Sequence, residues 1–252
     1  MTVTFDAQTA FVFLLIFARL GSMVMAMPGI GDASVPARLR LVLALVLTLV
    51  MLPVVQGAYS GVPGTFPALV AALLGEIVVG VFIGLAARMV TGAVHVAGTA
   101  IAFQTGLGFA QNVDPAQGTQ SALFSSFLAV LATTLIFVLD LHHLLIAALH
   151  DSYLLFAPGR ALPFDDFSRL AVEIAAGIFQ IGIQLAAPFL VFGLIFYMGL
   201  GILSRLMPQV QIFFLAMPAN ILLGFLLLML LLSTMMLWYL DYFETTLSAF
   251  IR

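Results

Sequence analysis

The chain has 252 residues, of which 63% are apolar and 8% are charged, and its formal net charge is -3. A soluble domain is typically about half apolar and about a quarter charged, so this chain is integral to a membrane or to a membrane complex. The absence of cysteine excludes disulfides, iron–sulfur clusters and thiol catalysis. The acidic balance without any basic run argues against nucleic-acid binding.

Six apolar blocks follow one another along the chain and predict an all-α fold of about six long, partly kinked helices. The N-terminus lacks the basic region of a signal peptide, so we expect the first block to be retained. The blocks cover residues 7–27, 39–55, 67–90, 121–149, 170–204 and 210–240. Since a span needs about 20 apolar residues, the second block is short and the last two are long. Pro188 and Pro218 lie inside those two and predict bends.

Between the third and fourth blocks, residues 101–120 are polar and almost uncharged. They include three glycines, two phenylalanines, four glutamines and one Asp-Pro pair. Glycine allows backbone conformations that other residues avoid, and proline pushes the preceding residue out of the helical region. We therefore expect an irregular loop rather than a helix. Such backbone at membrane depth must be surrounded by protein or a water-filled path, so the loop is either a gate, plug or pore lining, or a plain polar connector.

The turn between the last two blocks is predicted at residues 204–209, joining two antiparallel helices. If every block crosses the membrane, seven arginines are divided four against three between its two sides. The first side receives Arg38, Arg40, Arg88 and Arg205, and the second receives Arg160, Arg169 and Arg252. The positive-inside rule then slightly favours a cytoplasmic turn, with both termini outside the cytoplasm.

Charged residues inside apolar blocks are costly and are functional candidates by default. They are Arg19, Glu76, Asp140 and Glu173. Arg19 and Glu76 could pair between helices, which the sequence alone does not decide. Gly80 and Gly84 have the small-xxx-small spacing that favours close helix contact. Glu76 is either a polar group satisfied within a helix bundle, which we favour, or an ion-translocating carboxylate.

One cluster invites a metal or proton-relay interpretation, and it consists of Asp140, His142, His143, His150 and Asp151. Asp140 and His143 are three residues apart and should share a helix face. Adjacent histidines should point in different directions, and no second ligand pair is spaced four residues apart. We therefore predict no metal site here and interpret the histidines as interfacial.

The sequence has no spacing that is typical of a catalytic site. It contains no Gly-x-Ser-x-Gly elbow, no His-Glu-x-x-His pair and no phosphate-binding glycine loop. Ser125 and Ser126 could be combined with His142 and His143 into a serine-nucleophile site, but nothing in the sequence fixes that geometry. We predict that the chain is not an enzyme and needs no cofactor.

Three segments, read in order, give the chain a family resemblance. The first is Pro-Gly-Ile-Gly at 28–31 followed by Val-Pro-Ala-Arg-Leu-Arg at 35–40. The second is residues 104–115, and the third is Met-Pro-Gln-Val-Gln-Ile-Phe-Phe at 207–214 followed by Met-Pro-Ala-Asn-Ile at 217–221 and Gly224. With six apolar blocks and this length, the chain resembles the FliR family, the R subunit of the flagellar type III export gate, which has counterparts in virulence injectisomes. The resemblance covers essentially the whole chain.

The resemblance implies a hetero-oligomeric gate in the bacterial inner membrane and the flagellar basal body. One copy of the R subunit joins FliP-like and FliQ-like subunits to form the entrance pore for unfolded export substrates. Residues 1–160 would resemble a P subunit and include the pore loop 104–120, and residues 161–252 would resemble a Q-type hairpin. Further implied partners are a FlhB-like switch protein, a FlhA-like export protein, and basal-body ring and rod proteins. Contact with lipid would be partial, because part of the assembly is raised to the periplasmic side.

The resemblance also assigns roles to residues. The pore plug would consist of Gly106, Leu107, Gly108, Phe109, Ala110, Gln111, Val113, Asp114 and Pro115. The hairpin turn and its partner contacts would involve Arg205, Pro208, Gln209, Phe213 and Pro218. Apolar side chains on a glycine-rich backbone can fill a narrow pore, and few fixed charges leave no trap for a passing chain.

A stand-alone small-molecule or ion transporter is the alternative function, with Glu76 as its coupling carboxylate. The two halves of the chain differ in block length and loop content, so no inverted repeat supports this alternative. Use in a flagellum or in an injectisome stays open.

Overall fold

The structure is a computed structural model that describes residues 7–59, 61, 63–107, 123–160, 162–208 and 211–251. Within these ranges the fold is all-helical, as predicted, and no strand occurs. The helices are α1 (Ala7–Ala26), α2 (Ala37–Val55), α3 (Phe66–Gln104), α4 (Leu123–Val138), α5 (His142–Leu155), α6 (Phe164–Leu206) and α7 (Ile212–Ser248), and a short 3-10 helix covers Gln56–Ala58. In the described part, five helices are long and apolar enough to cross a membrane, or six spans if α4 and α5 together form one.

The fourth apolar block is two helices rather than one. α4 and α5 meet at an angle of 69° across a break at residues 139–141. Asp140 in this break has a φ of +58°, in the left-handed region that ends a right-handed helix. Aspartate tolerates this conformation better than most side chains. The bend therefore depends on one residue whose conformation the apolar pattern does not reveal.

The third block continues further than its apolar pattern predicts. α3 ends at Gln104, so the prediction of an irregular loop is wrong for residues 101–104. Ile101 and Ala102 are fully buried and continue the packed face of the helix. The helix ends before Gly106, whose φ of +82° is a conformation that glycine adopts without steric cost. Residues 108–120 of the predicted loop lie outside the described residues.

The turn between the last two helices begins later than predicted. α6 continues to Leu206, so Ser204 and Arg205 belong to its last turn and not to the loop. The Ser204 hydroxyl donates a hydrogen bond to the carbonyl of Gly201 within the helix. Pro188 and Pro218 lie inside α6 and α7. The prediction of two long helices is confirmed, and the bends predicted at the two prolines stay a prediction.

The chain forms two compact units. The first unit contains Met1–Val90, Leu139–Ile174 and Glu244–Arg252, and the second contains Thr91–Val138 and Ala175–Phe243. The core of the first unit includes Ile16, Leu20 and Ile83, and that of the second includes Phe124 and Phe189, all nearly inaccessible to solvent. The proposed likeness of residues 1–160 to a P subunit and of residues 161–252 to a Q subunit concerns other proteins and stays a prediction.

The long helices expose many large apolar side chains. On α6 these include Leu194, Ile195 and Met198, and on α7 Leu222 and Met229, which is 81% exposed. Contiguous exposed apolar surface on this scale indicates contact with a membrane or with partner proteins. We therefore expect these faces of α6 and α7 to contact lipid or partner proteins rather than water alone.

Candidate functional site

A buried ion pair joins α1 to α3 in the first compact unit. Arg19 and Glu76 are 1% and 3% exposed, and Arg19 Nε donates a hydrogen bond of 2.5 Å to Glu76 Oε2. Arg19 Nη1 donates to the Ser152 hydroxyl at 3.1 Å, and Nη2 donates to the Phe156 carbonyl at 3.0 Å. The guanidinium carbon lies 4.1 Å from the centre of the Tyr153 ring, within the range of a cation–π interaction. One arginine therefore connects α1, α3 and α5.

Tyr59 borders this network from the segment between α2 and α3. Its ring meets the Tyr153 ring edge-on, with 6.2 Å between the two centres. Burial, together with the neighbouring Tyr153 and Glu76, raises the pKa of the Tyr59 phenol well above its usual range. Tyr59 therefore stays neutral and adds no charge to the pair.

Two glycines of α3 allow α1 to approach the ion pair. A Cβ atom added at Gly80 would collide with the Arg19 carbonyl oxygen and the Ser22 hydroxyl. A Cβ atom added at Gly84 would lie 2.7 Å from the Met23 carbonyl oxygen. The small-xxx-small spacing is thus located where the two helix backbones come closest, as this motif does elsewhere.

A cavity of about 440 Å³ opens beside the pair. Its walls come mainly from α3, including Ala68, Ala72 and Gly75, and from residues 156–160. The polar atoms of Arg19 and Glu76 that border it already bind one another. The remaining wall is mostly small and apolar, with Arg160 as a further charged residue.

The Pro-Gly-Ile-Gly segment forms a tight reversal directly after α1. Gly29 has a φ of +79°, and its N–H donates to Asp32 Oδ2 at 3.1 Å. Arg88 Nη2 donates to Asp32 Oδ1 at 3.3 Å, and Arg40 Nη1 donates to the Gly31 carbonyl at 3.4 Å. A Cβ atom at Gly31 would lie 2.6 Å from the Met27 carbonyl oxygen. The first segment of the family resemblance is thus a turn that requires glycine at positions 29 and 31.

In the second compact unit, the base of the predicted pore loop is bound to α7. The side-chain amide nitrogen of Asn220 donates to the Gln104 carbonyl at 3.0 Å and lies 3.4 Å from the Tyr197 hydroxyl. Asn220 is 2% exposed. Gly106 lies two residues after Gln104, and a Cβ atom added at Gly106 would lie 3.5 Å from the Asn220 amide nitrogen. The last turn of α3 and the first residues of the loop therefore rest on one asparagine.

Two further glycines bring α6 and α7 close to this end of α3. A Cβ atom at Gly193 of α6 would collide with the Gln104 amide oxygen. A Cβ atom at Gly224 of α7 would collide with Thr105 Cγ2 and would lie 2.9 Å from Thr105 Cβ. Thr105 is fully buried. The loop base is therefore enclosed by backbone on two sides.

The predicted plug and turn residues are described only in part. Of the plug residues, Gly106 and Leu107 fall within the described ranges. Gly108, Phe109, Ala110, Gln111, Val113, Asp114 and Pro115 lie outside them. Arg205, Pro208 and Pro218 are exposed, Gln209 lies outside the described residues, and Phe213 belongs to α7. The roles assigned to all of these residues remain predictions.

The histidine cluster differs from its predicted geometry. Asp140 precedes α5 instead of sharing a helix face with His143, although its carboxylate lies 3.9 Å from His143 Nδ1. The rings of His142 and His143 lie together, with centres 4.3 Å apart, whereas we expected them to diverge. Asp140 lies in the break before α5, whereas His142 and His143 are the first two residues of that helix. His150 and Asp151 form a separate contact of 2.7 Å.

A metal ion would find three donors at this bend. Asp140, His142 and His143 can each offer one ligand atom, and these atoms lie within 4.8 Å of one another. They form the one such group in the part of the chain that the structure describes. Asp140 and His143 are largely exposed, and three protein ligands are fewer than the four of a structural zinc site.

Two polar contacts were missed in the sequence. Ser125 pairs with His95, whose Nδ1 lies 2.9 Å from the Ser125 hydroxyl, and not with either adjacent histidine. No carboxylate contacts His95 among the described residues, so the pair lacks the acid of a catalytic triad.

The second missed contact is that of Asn220, which the sequence analysis quoted as part of a family motif without assigning it a role. An uncharged polar side chain inside an apolar helix was the available signal, because a buried amide requires hydrogen-bond partners.

Comparison with known proteins places the chain among export proteins. Residues 10–246 match the family described as bacterial export proteins, family 1. The flagellar biosynthetic protein FliR of Caulobacter vibrioides is 42% identical over 244 residues, which cover 97% of this chain and 97% of that protein. FliR of Bacillus subtilis is 29% identical over 239 residues, covering 94% and 92% of the two chains. FliR of Aquifex aeolicus is 27% identical over 223 residues, covering 86% and 83%.

Proposed function

Because the chain belongs to the FliR family of bacterial export proteins, we propose that it is a core subunit of the flagellar type III protein export gate. The observation that carries this proposal is the 42% identity to a flagellar biosynthetic protein over 97% of both chains. The five helices that are long and apolar enough to cross a membrane support a location in the inner membrane at the flagellar basal body.

The subunit acts in one copy within a ring of FliP-like and FliQ-like proteins. The exposed apolar faces of α6 and α7 support this arrangement, since side chains such as Leu194 and Met229 need a cover other than water. The exposed Arg205 at the end of α6 faces the FlhB-like switch protein. FlhA-like, ring and rod proteins complete the surroundings, and unfolded export substrates pass through the centre.

The loop from Gly106 to Gln120 plugs the closed pore. Its base is held by buried contacts at Gln104 and Thr105, so the segment that follows starts from a fixed position. Phe109, Val113 and the Asp114-Pro115 pair are its plug residues in this proposal. Since this segment has few fixed charges, it blocks ions by packing and does not trap a passing chain.

Glu76 has a structural role in this proposal. Its carboxylate accepts a hydrogen bond from Arg19 and is 3% exposed. A coupling carboxylate must exchange protons or ions during each cycle, which a buried bond to a permanently charged arginine opposes. The pair therefore favours helix packing over the transporter alternative.

Purification tests the assignment as a gate subunit. The chain is tagged after Arg252, extracted from native membranes in mild detergent, and its co-purifying proteins are identified by mass spectrometry. We expect P-type and Q-type subunits in one large particle. Recovery of the chain alone or with itself, from cells shown to make export machinery, would contradict the proposal and favour the transporter.

Membrane conductance tests the plug. Deletion of residues 106–115 should leave the P, Q and R particle intact but make the membrane leaky. Replacement of the same ten residues by glycine and serine is the matched control for length, and it should also leak if the side chains fill the pore. Background conductance of the deletion variant in an assembled particle would overturn the plug assignment.

A further inference from the structure

We propose that Asn220 is the positioning residue of the closed pore, because its side chain clamps the end of α3 to α7 and so fixes where the plug loop begins. This inference rests on the proposed function for the existence of the plug. The clamp itself stands on contacts within the second compact unit. It joins residues 116 positions apart, from Gln104 to Asn220.

The bond that Asn220 makes satisfies a helix terminus. The last four carbonyl groups of an α-helix have no partner within the helix, and Gln104 is the last residue of α3. The Asn220 amide nitrogen donates to this carbonyl at 3.0 Å. It thus acts as a C-terminal cap supplied by another helix. Since Asn220 is 2% exposed, water does not replace the bond at low cost when the bond is lost.

The shape of the site leaves one position for the end of α3. Gly193 and Gly224 lie where any side chain would collide with Gln104 or Thr105. The chain turns at once after this enclosure, because Gly106 has a φ of +82°. The direction in which the loop leaves the helix is therefore set within two residues of the clamp. Loss of the clamp would therefore move the point at which the loop begins.

The clamp depends on a donor at position 220, which distinguishes it from simple packing. Asn220→Asp keeps the shape but presents oxygens to the Gln104 carbonyl, and Asn220→Leu keeps the volume without a donor. Both should release the loop base. Loss of one or two ordinary hydrogen bonds changes the ratio of clamped to released states by a factor of about 5–30. We expect the conductance of assembled particles to rise by a comparable factor.

An engineered disulfide provides a rescue that a folding defect would not show. The chain has no cysteine, and a Cβ atom at Gly193 would lie 3.4 Å from Gln104 Cβ. This is near the roughly 3.5–4.5 Å between the Cβ atoms of disulfides. Gln104→Cys with Gly193→Cys should therefore crosslink. Gln104→Cys with Gly199→Cys is the matched control, because a Cβ atom at Gly199 has no neighbour within 4 Å.

The deciding measurement is the conductance of P, Q and R particles that carry Asn220→Leu and the 104–193 cysteine pair. We expect leak after reduction, tight closure after oxidation, and leak again when reductant is added to the same particles. Asn220→Leu particles that are as tight as wild type, or a leak that oxidation does not change, would overturn the clamp. If the leucine variant does not assemble, Asn220→Ala also removes the donor and provides the same comparison with a smaller side chain.

Crosslinking separates this proposal from the plug. The rate of disulfide formation between positions 104 and 193 should fall by several fold in Asn220→Leu if Asn220, through its bond to the Gln104 carbonyl, fixes the end of α3 beside α6. An unchanged rate would contradict the clamp, whatever the pore does. A deletion of residues 106–115 that does not leak would instead contradict the plug and leave the crosslinking result as the test of the clamp.

Discussion

The Arg19 guanidinium lies between the Glu76 carboxylate of α3 and the Ser152 hydroxyl of α5, with donor–acceptor distances of 2.5 Å and 3.1 Å. Both charged residues are at most 3% exposed. In this position the arginine satisfies the carboxylate, the Ser152 hydroxyl of α5 and the carbonyl of Phe156, the residue directly after α5. Three helices therefore depend on one side chain.

Removal of the arginine is predicted to be severe, and removal of both charges milder. Arg19→Leu leaves the Glu76 carboxylate buried without its partner, which should lower the free energy of unfolding by about 3–5 kcal/mol. Arg19→Leu with Glu76→Leu removes both charges and should cost clearly less than the sum of the two single variants. The measurement is thermal unfolding of the purified variants in detergent. Additive losses would show that the two residues do not interact.

The same position separates the two functions considered for this chain. Glu76→Gln keeps the shape and one oxygen acceptor for Arg19 but leaves the buried guanidinium without a counter-charge, so the free energy of unfolding should fall by up to about 3–5 kcal/mol. Flagellar export should then continue in cells that hold normal amounts of the protein. A complete loss of export at normal protein levels would indicate a carboxylate that works by changing its protonation.

The sequence predicted the fold class well because the apolar blocks are long. It predicted all-α architecture, the proline-containing long helices and the family. It did not predict the break at Asp140, since a left-handed residue leaves no mark in an apolar pattern. The extension of α3 to Gln104 was missed because the polar composition of residues 101–120 was given more weight than the absence of glycine and proline from residues 101–105.

The sequence indicated which residues belong to the candidate sites only where the residue type itself is unusual for its surroundings. Arg19 and Glu76 stand out because charge is rare in apolar blocks, but their pairing depends on how α1 and α3 pack. The contact between Asn220 and Gln104 depends on the approach of α7 to α3, which Gly224 permits. A single sequence shows that a glycine or an asparagine is present, but it does not show which distant helix packs against that residue.

Glycine substitutions in α3 should separate packing from helix propensity. Gly80→Ala places a Cβ atom against the Arg19 backbone oxygen, so it should cost about 1–3 kcal/mol through displacement of α1. Gly75→Ala is the matched control in the same helix, since no atom lies within 4 Å of its added Cβ. Alanine is the better helix former by roughly 0.5–1 kcal/mol, so the control should be neutral or more stable. Equal melting temperatures for the two variants would contradict the close contact.

Asp32 should show two separable contributions to the turn after α1. Its Oδ2 accepts from the Gly29 N–H at 3.1 Å, and its Oδ1 accepts from Arg88 at 3.3 Å. The ion pair is exposed, with 47% of the Arg88 side chain and 43% of the Asp32 side chain accessible. Exposed pairs contribute about 0–1 kcal/mol. The backbone hydrogen bond, which holds a glycine with positive φ, should therefore contribute at least as much.

The two contributions are measured with Asp32→Asn and Asp32→Ala. Asparagine keeps an oxygen acceptor for the Gly29 N–H and loses the charge, so its melting temperature should stay close to that of the natural protein. Alanine loses both and should lower the free energy of unfolding by about 1–2 kcal/mol. High salt should reduce the difference between the natural protein and Asp32→Asn, since exposed charges are screened. If asparagine is as damaging as alanine, then the charge pair with Arg88 stabilises the turn and the backbone hydrogen bond does not.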